Sequence, residues 1–110
     1  MKHEISENRM EIFRMKLLED EKSKATIDKY MKDVRMFFRT AERTGGVDKE
    51  LVMAYKEFLS GRYAPASVNS MLAALNCFFK KMGWYHCTVK LINVESRVLP
   101  AFKGGKSRKK

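Results

Sequence analysis

The chain has 110 residues, a net charge of +10 and a hydrophobic content of 45%. This length suits a single domain with a modest core, and no apolar run approaches the ~18 residues that a membrane-spanning helix needs. The polar, acidic N-terminus lacks the apolar stretch of a secretory signal, so we expect a cytoplasmic, bacterial protein without membrane contact. Cys77 and Cys87 form no C-x-x-C pair and His3 lies far from His86, which predicts free thiols, no metal site and no cofactor.

Two helices are predicted in the first half of the chain. Helix 1 runs from about Glu7 to Asp20, where Ser6 is a suitable N-cap and apolar residues recur at helical spacing. Helix 2 runs from about Lys24 to Arg43, between the N-cap candidate Ser23 and the helix-ending pair Gly45–Gly46. At about 100° per residue, its wide apolar stripe leaves a row of cations on the opposite face. These cations are Lys32, Arg35, Arg39 and Arg43.

Two more helices are predicted in the second half. Helix 3 runs from about Lys49 to Ser60, with Asp48 as its N-cap and Gly61 in a left-handed conformation after its end. Its predicted buried face consists of Leu51, Val52, Tyr55, Phe58 and Leu59. Helix 4 runs from about Pro65 to Met82, because proline fits a first helical position and Gly83 suits the end of a helix.

The helical pattern weakens after Gly83. Residues 84–102 mix aromatic and β-branched side chains, which predicts either a docked extended segment or a short fifth helix. Glycines and cations in residues 103–110 are typical of a flexible charged linker. The fold class is therefore all-α, a bundle of four to five helices, with a helical domain over residues 1–86 and a C-terminal segment with a basic linker over residues 87–110.

The positive charge is unevenly distributed along the chain. The tail from Lys103 to Lys110 carries half of the net charge. The stretch from Phe58 to Val94 contains no Asp or Glu, and the segment from Lys22 to Arg43 has seven basic residues against three acidic ones. Such segregation favours one face that binds a polyanion, although charge that serves only solubility produces a similar pattern.

Helices 2 and 4 also resemble each other. Residues 23–38 align with residues 64–79 at a spacing of 41, so that Ile27 matches Val68 and the two Phe-Phe pairs coincide. Both helices are expected to offer the core the same face in the same phase, unless the likeness is a chance similarity of two amphipathic helices. The outer face of helix 4 is small, polar and free of acids, which permits close approach to phosphates and base edges. A helix packed on another protein would have a similar composition.

The residues of these two helices form a pair of motifs. The first is Ser23-x-x-Thr26-Ile27-x-x-Tyr30-x-x-Asp33-Val34-x-x-Phe37, and the second is Pro65-Ala66-Ser67-Val68-Asn69-x-x-Leu72-Ala73-Ala74-Leu75-x-x-Phe78-Phe79. At this separation the pair resembles the N-terminal core-binding domain of tyrosine recombinases, the phage-type integrases, over about Ile5 to Trp84. The resemblance implies a SAM-like orthogonal bundle. Two features depart from the family: Asn76 stands where a basic residue is common, and Trp84-Tyr85-His86-Cys87 stands where Asn-Pro is common.

The resemblance also implies a function. In this family the domain and a separate catalytic domain clamp double-stranded DNA, the helices matching helices 2 and 4 face the DNA, and recombinase protomers assemble on the site. No His-x-x-Arg motif is present, and none of the four tyrosines can be assigned the cations that a phosphoryl-transfer nucleophile requires. We therefore expect no catalytic residue and no small-molecule substrate in this chain, which we interpret as the DNA-binding part of a larger recombinase.

The predicted DNA-binding residues are cations, hydroxyls and amides of helices 2 and 4 and of the loop before helix 4. They are Lys24, Thr26, Lys32, Arg35, Arg39, Arg43, Arg62, Tyr63, Ser67, Asn69, Ser70, Asn76, Lys80 and Lys81. Helix capping, dipole interactions and pairing of Asp28 with Lys32 are alternative roles for several of them. The alternative function is a stand-alone helical protein-interaction module with incidental basic charge, and an RNA-binding module is less favoured because no familiar RNA motif is visible.

Overall fold

The ends of the helices coincide with capping residues in the computed structural model, which describes residues 2–4 and 6–92. The described backbone forms four α-helices and no strand, in the order α1 (Glu7–Glu19), α2 (Lys24–Thr44), α3 (Lys49–Ser60) and α4 (Pro65–Met82). A short 3₁₀ turn (Tyr85–Cys87) follows α4. The predicted all-α class and the four predicted helices are confirmed, and each observed end lies within about one residue of its prediction.

Side-chain hydrogen bonds start the first three helices. In each, the predicted N-cap side chain accepts a hydrogen bond from the backbone N–H three residues later, which satisfies a donor that has no partner inside the helix. These N-caps are Ser6, Ser23 and Asp48. Helix α4 begins differently, because Ala64 offers no side-chain cap and Pro65 fills the first position, where an N–H would have no helical partner.

Glycines end α2 and α4 in the left-handed conformation, with φ of 86° at Gly45 and 82° at Gly83. The same conformation predicted for Gly61 is wrong, since this residue has φ of −85° and stays right-handed. The Gly61 N–H is hydrogen-bonded to the carbonyls of Glu57 and Phe58, both at 3.3 Å. The chain therefore leaves α3 by continuing the helical turn and needs no left-handed residue there.

Aromatic rings fill the space between the helices, and α2 and α4 share the most extensive interface. The ring of Phe78 meets Phe13, Phe38 and Trp84 edge-on, at centroid distances of 5.1, 5.2 and 5.6 Å. Edge-to-face contacts of this kind are favourable beyond the burial of apolar area. The core is therefore built around the C-terminal half of α4, where three other parts of the chain converge.

Residues of α2 and α4 that lie 41 positions apart in the sequence are buried alike. Ile27 and Val68 are buried, as are the corresponding pairs of Val34 with Leu75, Phe37 with Phe78 and Phe38 with Phe79. The expectation that both helices offer the core the same face in the same phase is confirmed. One buried pair differs chemically, because Asp33 of α2, which is ion-paired with Lys29, corresponds to Ala74 of α4.

Phe58 is a correction to the predicted buried face of α3. Its side chain is 50% exposed, stacks on Tyr55 at a centroid distance of 6.2 Å and lies 4.9 Å from the guanidinium carbon of Arg62. Position 58 lies at the edge of the stripe centred on Val52 and Leu59, so the ring leans over the surface of the helix and is not inserted into the core.

The two ends of the described chain are held against the bundle. Near the N-terminus, His3 and Val47 form an isolated antiparallel bridge, with N–H to carbonyl distances of 2.7 and 2.9 Å. Gly46 permits this approach, since a Cβ there would lie 2.8 Å from the His3 carbonyl oxygen. At the other end, Cys87 and Val89 are buried in the same core as the four helices.

Both alternatives for the region after Gly83 occur in part. A 3₁₀ turn forms first, and residues 88–92 then run without helix along α4. Residues 93–102 and the basic tail lie outside the described residues. The division of the chain after residue 86 stays a prediction. Among the described residues, no helix combines the length and the apolar character that crossing a bilayer requires.

Candidate nucleic-acid interface

The outer face of α2 carries three cations that are available to a ligand. Lys32, Arg39 and Arg43 are exposed and form no ion pair with any residue that the structure describes. The alternative pairing of Asp28 with Lys32 does not occur, because the Asp28 carboxylate lies 2.9 Å from Lys24 Nζ. A carboxylate that pairs one turn earlier leaves the Lys32 ammonium free for a different anion.

Arg35 belongs to the same face but already has a partner. Its guanidinium donates to the Glu7 carboxylate of α1, with an N–O distance of 3.0 Å. Both side chains are exposed, so this ion pair contributes little to stability. Any other anion that binds Arg35 must displace the Glu7 carboxylate. A shallow cavity of about 430 Å³ lies beside these cations. Its lining residues are Asp28, Met31, Lys32, Arg35, Met36 and Arg39.

Two asparagines of α4 bind the backbone of the C-terminal segment. Asn69 donates to the Ile92 carbonyl at 2.8 Å and accepts from the Ile92 N–H at 2.7 Å. Asn76 makes the same pair of hydrogen bonds to Val89, at 2.8 and 3.0 Å. Seven helical residues span about 10.5 Å and three extended residues about 10 Å, so the two amides match the spacing of an antiparallel extended segment.

This contact gives Asn69 and Asn76 a partner that the sequence interpretation missed. Each amide uses one donor and one acceptor on the segment, which is the pair of groups that would read an adenine edge. Base reading by these two residues therefore requires the segment to leave α4. The signal in the sequence is weak: two asparagines seven residues apart share a side of the helix, but nothing local identifies Val89 and Ile92 as their partners.

The remaining predicted residues of α4 differ in availability. Ser67 and Lys80 are exposed and Ser70 is half-buried, while Lys81 is ion-paired with Asp20 at the end of α1. The hydrogen bond from Lys81 lowers the pKa of Asp20 and raises that of Lys81. A cavity of about 390 Å³ lies along this face. Its lining residues are Ala73, Asn76, Cys77, Lys80, Lys81 and Leu91.

Three predicted residues, Thr26, Arg62 and Tyr63, lie outside these two faces. Thr26, at the start of α2, accepts a hydrogen bond from the Ser23 hydroxyl at 3.0 Å. Arg62 lies against the Phe58 ring, and Tyr63 is 38% exposed in the loop before α4. The capping role considered for Thr26 therefore has structural support, whereas Tyr63 presents part of its ring to solvent.

Two groups, the half-buried Cys77 thiol and the buried Tyr55 phenol, have shifted pKa values. Burial raises the pKa of the Cys77 thiol, which favours its protonated form. Burial, followed by the charge of Asp33, raises the pKa of Tyr55 to about 12. Both shifts stabilise the neutral form, in which neither group is an effective nucleophile at neutral pH.

The structure also brings together three side chains that the sequence keeps apart. Nε2 of His3 lies 2.9 Å from Nε2 of His86, and a ring nitrogen of each and Sγ of Cys87 all lie within 4.8 Å of one another. Partial burial lowers the pKa of His3, as do the nearby charges of His86 and Arg9. The only hint in the sequence is the neighbouring pair of histidine and cysteine, because the third residue lies at the opposite end of the chain.

Comparisons with models of known protein families, with curated proteins and with solved structures return no match.

Proposed function

We propose that this chain is a DNA-binding core-binding domain of a cytoplasmic tyrosine recombinase, with a SAM-like orthogonal bundle, and that it grips double-stranded DNA with α2 and α4. One observation carries the proposal: three exposed cations on the outer face of α2, Lys32, Arg39 and Arg43, have no ion-pair partner among the described residues. By contrast, Lys24, Lys29 and Arg35 of α2 are paired with carboxylates, and so is Lys81 of α4. Free cations in a row on one helix are suited to a row of phosphates.

The composition of α4 supports the same partner. The helix contains no acidic residue, and the small side chains of Ser70, Ala73 and Cys77 would allow a phosphate backbone to come close to it. Lys80 supplies an exposed cation at the end of this face. In this proposal, phosphate contacts dominate, Asn69 and Asn76 hold the C-terminal segment, and a separate catalytic domain of the recombinase carries out the chemistry.

The experiment compares two arginines on the same helix. Binding of a fluorescein-labelled duplex is measured by anisotropy as a function of salt, for the variants Arg39→Ala and Arg35→Ala. Both remove one charge, but only Arg39 lacks a carboxylate partner among the described residues. We expect Arg39→Ala to weaken binding more, and to reduce the slope of log affinity against log salt by about 0.9 for the lost phosphate contact.

Glu7→Gln sharpens the comparison. Removing this carboxylate releases Arg35, so DNA affinity should rise, and the subsequent change Arg35→Ala should then cost as much as Arg39→Ala. All variants are measured in a chain ending at Phe102, because the five cations of residues 103–110 would add DNA affinity that does not depend on α2 or α4. Equal affinities for the parent, Arg39→Ala and Arg39→Ala/Arg43→Ala chains would show that α2 is not the DNA-binding face.

A protein-interaction module is the second candidate, and the outer side of α1 favours it. Ile12, Met15 and Leu18 are 38%, 49% and 47% exposed and lie about one turn apart. In a recombinase this stripe would contact another protomer. Analytical ultracentrifugation of Leu18→Glu and of the parent chain measures self-association and so tests this role. The DNA affinity of the same variant shows whether protein contact and DNA binding use separate surfaces. Loss of self-association with unchanged DNA affinity would assign α1 to protein contact alone.

A further inference from the structure

Three metal-ligating side chains meet where the N-terminus packs against the end of the bundle. We propose that His3, His86 and Cys87 bind a zinc ion. A ring nitrogen of each histidine and Sγ of Cys87 lie within 4.8 Å of one another. The site uses none of the residues assigned to DNA, and the inference therefore stands independently of the proposed function.

The ligand set suits zinc. Two imidazoles and one thiolate are borderline and soft donors, which select zinc over magnesium, calcium or manganese. With Zn–N distances of about 2.0–2.1 Å and a Zn–S distance of about 2.3 Å, tetrahedral ligand atoms lie roughly 3.3–3.7 Å apart. The 2.9 Å separation of the two Nε2 atoms would have to widen by a few tenths of an ångström. The three ligand atoms, which lie up to 4.8 Å apart, would have to close by as much as about 1 Å around the ion.

The backbone holds these ligands in place. His3 is paired with Val47 through both of its main-chain polar groups, and its ring stacks on Trp84 at a centroid distance of 4.2 Å. His86 and Cys87 lie in the 3₁₀ turn, which is closed by the hydrogen bond from the Cys87 N–H to the Trp84 carbonyl at 2.9 Å. Ligands whose positions are fixed before binding lose little conformational entropy when the ion arrives.

Metal binding requires a defined movement of protons. Without an ion, one Nε2 donates and the other accepts in the hydrogen bond between the rings. On binding, the donating ring moves its proton to Nδ1, both Nε2 lone pairs bond to zinc, and the Cys87 thiol releases one proton to solvent. Because His86 is exposed, water can occupy the fourth coordination position. Asp48, whose charge acts on Cys87, is engaged as the N-cap of α3 and is not counted as a ligand.

The experiment uses the full chain, free of any purification tag and stripped of metal with a chelator. Cobalt(II) is titrated first because its absorption reports geometry and ligands. We expect one equivalent to produce intense visible bands of a four-coordinate ion and a near-ultraviolet charge-transfer band from the thiolate. One equivalent of zinc should then remove both. Zinc at ~100 times its dissociation constant should raise the melting temperature by roughly 10 °C or more.

Two cysteines and an exposed histidine provide matched variants. Cys87→Ser should lose the charge-transfer band, whereas Cys77→Ser should keep it, since Cys77 lies outside the cluster. His86→Ala removes an exposed ligand without opening the core, and circular dichroism checks that each variant stays folded. We expect its zinc affinity to fall by more than the roughly 10- to 100-fold that is typical when an outer-shell partner is lost.

Three outcomes would overturn the proposal. The first is a folded parent chain that binds no stoichiometric cobalt. The second is a cobalt spectrum without the charge-transfer band, which would mean adventitious binding to surface groups. The third is a spectrum that is the same in folded Cys87→Ser as in Cys77→Ser. Any of these would leave the cluster as a hydrogen-bonded histidine pair beside a buried thiol.

Discussion

Helices α2 and α4 bury equivalent positions in the core, but their outer faces differ in side-chain size, charge and contacts. The outer face of α2 presents long cations that, at Lys32, Arg39 and Arg43, have no ion-pair partner in the described part of the chain. The corresponding side of α4 carries mostly short polar side chains before Lys80, and two of its amides are hydrogen-bonded to the chain's own C-terminal segment.

This difference shows that equal burial does not imply equal function. The apolar stripe of each helix is set by contact with its neighbours, so similar stripes arise wherever two helices share one core. The outer face is free of that constraint and reflects what else the helix contacts. Four experiments test the comparison, each with a smaller expected effect than the one before.

The largest effect is expected at the matched core positions. Phe37→Ala and Phe78→Ala should each lower the free energy of unfolding by about 3–5 kcal/mol, because both side chains are fully buried and each leaves a cavity. Urea unfolding measures the change. Phe58→Ala is the control, since the same truncation at a half-exposed ring should cost much less. A cost at Phe37 below half that at Phe78 would contradict the equivalence of the two stripes.

The next effect concerns the segment on α4. Asn76→Ala should cost about 1–3 kcal/mol, because the N–H and carbonyl of Val89 lose their partner in a partly buried position. Asn8→Ala, at an exposed position of α1, is the matched control and should be near neutral. Hydrogen exchange of the Val89 amide should accelerate in Asn76→Ala. Unchanged exchange would mean that the amide does not hold the segment.

A smaller effect distinguishes the starts of the two helices. Ser23 has φ, ψ of −69°, 159° and caps α2, whereas Ala64 has the similar angles −64°, 151° and offers no cap to α4. Ser23→Ala should cost about 1 kcal/mol, and Ala64→Ser should gain a fraction of that. Thermal unfolding of both variants measures the changes. Destabilisation by Ala64→Ser would show that Pro65 already determines the start of α4.

The smallest effect is electrostatic and concerns Asp33, the buried acid of α2 whose equivalent position in α4 is Ala74. Burial and the charge of Asp33 raise the pKa of Tyr55 to about 12. A phenol whose pKa is higher in the folded chain stabilises the fold below about pH 10, and this stability is lost as the pH rises towards 12. Absorbance titration should find one late tyrosine, and Asp33→Asn should lower its pKa in part. An unshifted tyrosine titration in the parent would contradict this assignment.

Much of the fold could be predicted because its signals are local. The N-caps Ser6, Ser23 and Asp48 act on backbone groups three residues away, and the periodic stripes lie within single helices. The errors lie where a local rule has two outcomes. Glycine adopts negative or positive φ equally well, so the sequence does not fix the conformation of Gly61. Phe58 lies at the edge of the apolar stripe of α3, where burial depends on how closely the neighbouring helices pack.

The candidate sites could be predicted only in part. Helical periodicity is sufficient to place Lys32, Arg39 and Arg43 on an outer face, and all three are exposed. It does not reveal that Arg35 meets Glu7, because that contact depends on how α1 lies against α2.

The sequence by itself determined the four helices, their ends and, apart from Phe58, the face that each one buries, since helix formation and amphipathicity depend on residues within a few turns of one another. Only the tertiary structure decided which distant groups meet. It places His3 beside His86 and Cys87, and it brings the Val89 N–H within hydrogen-bond distance of the Asn76 side chain. Such contacts depend on the packing of whole helices, and no spacing along the chain records them. The cation row of α2 is thus a property of one helix, whereas the cluster at His3 is a property of the fold.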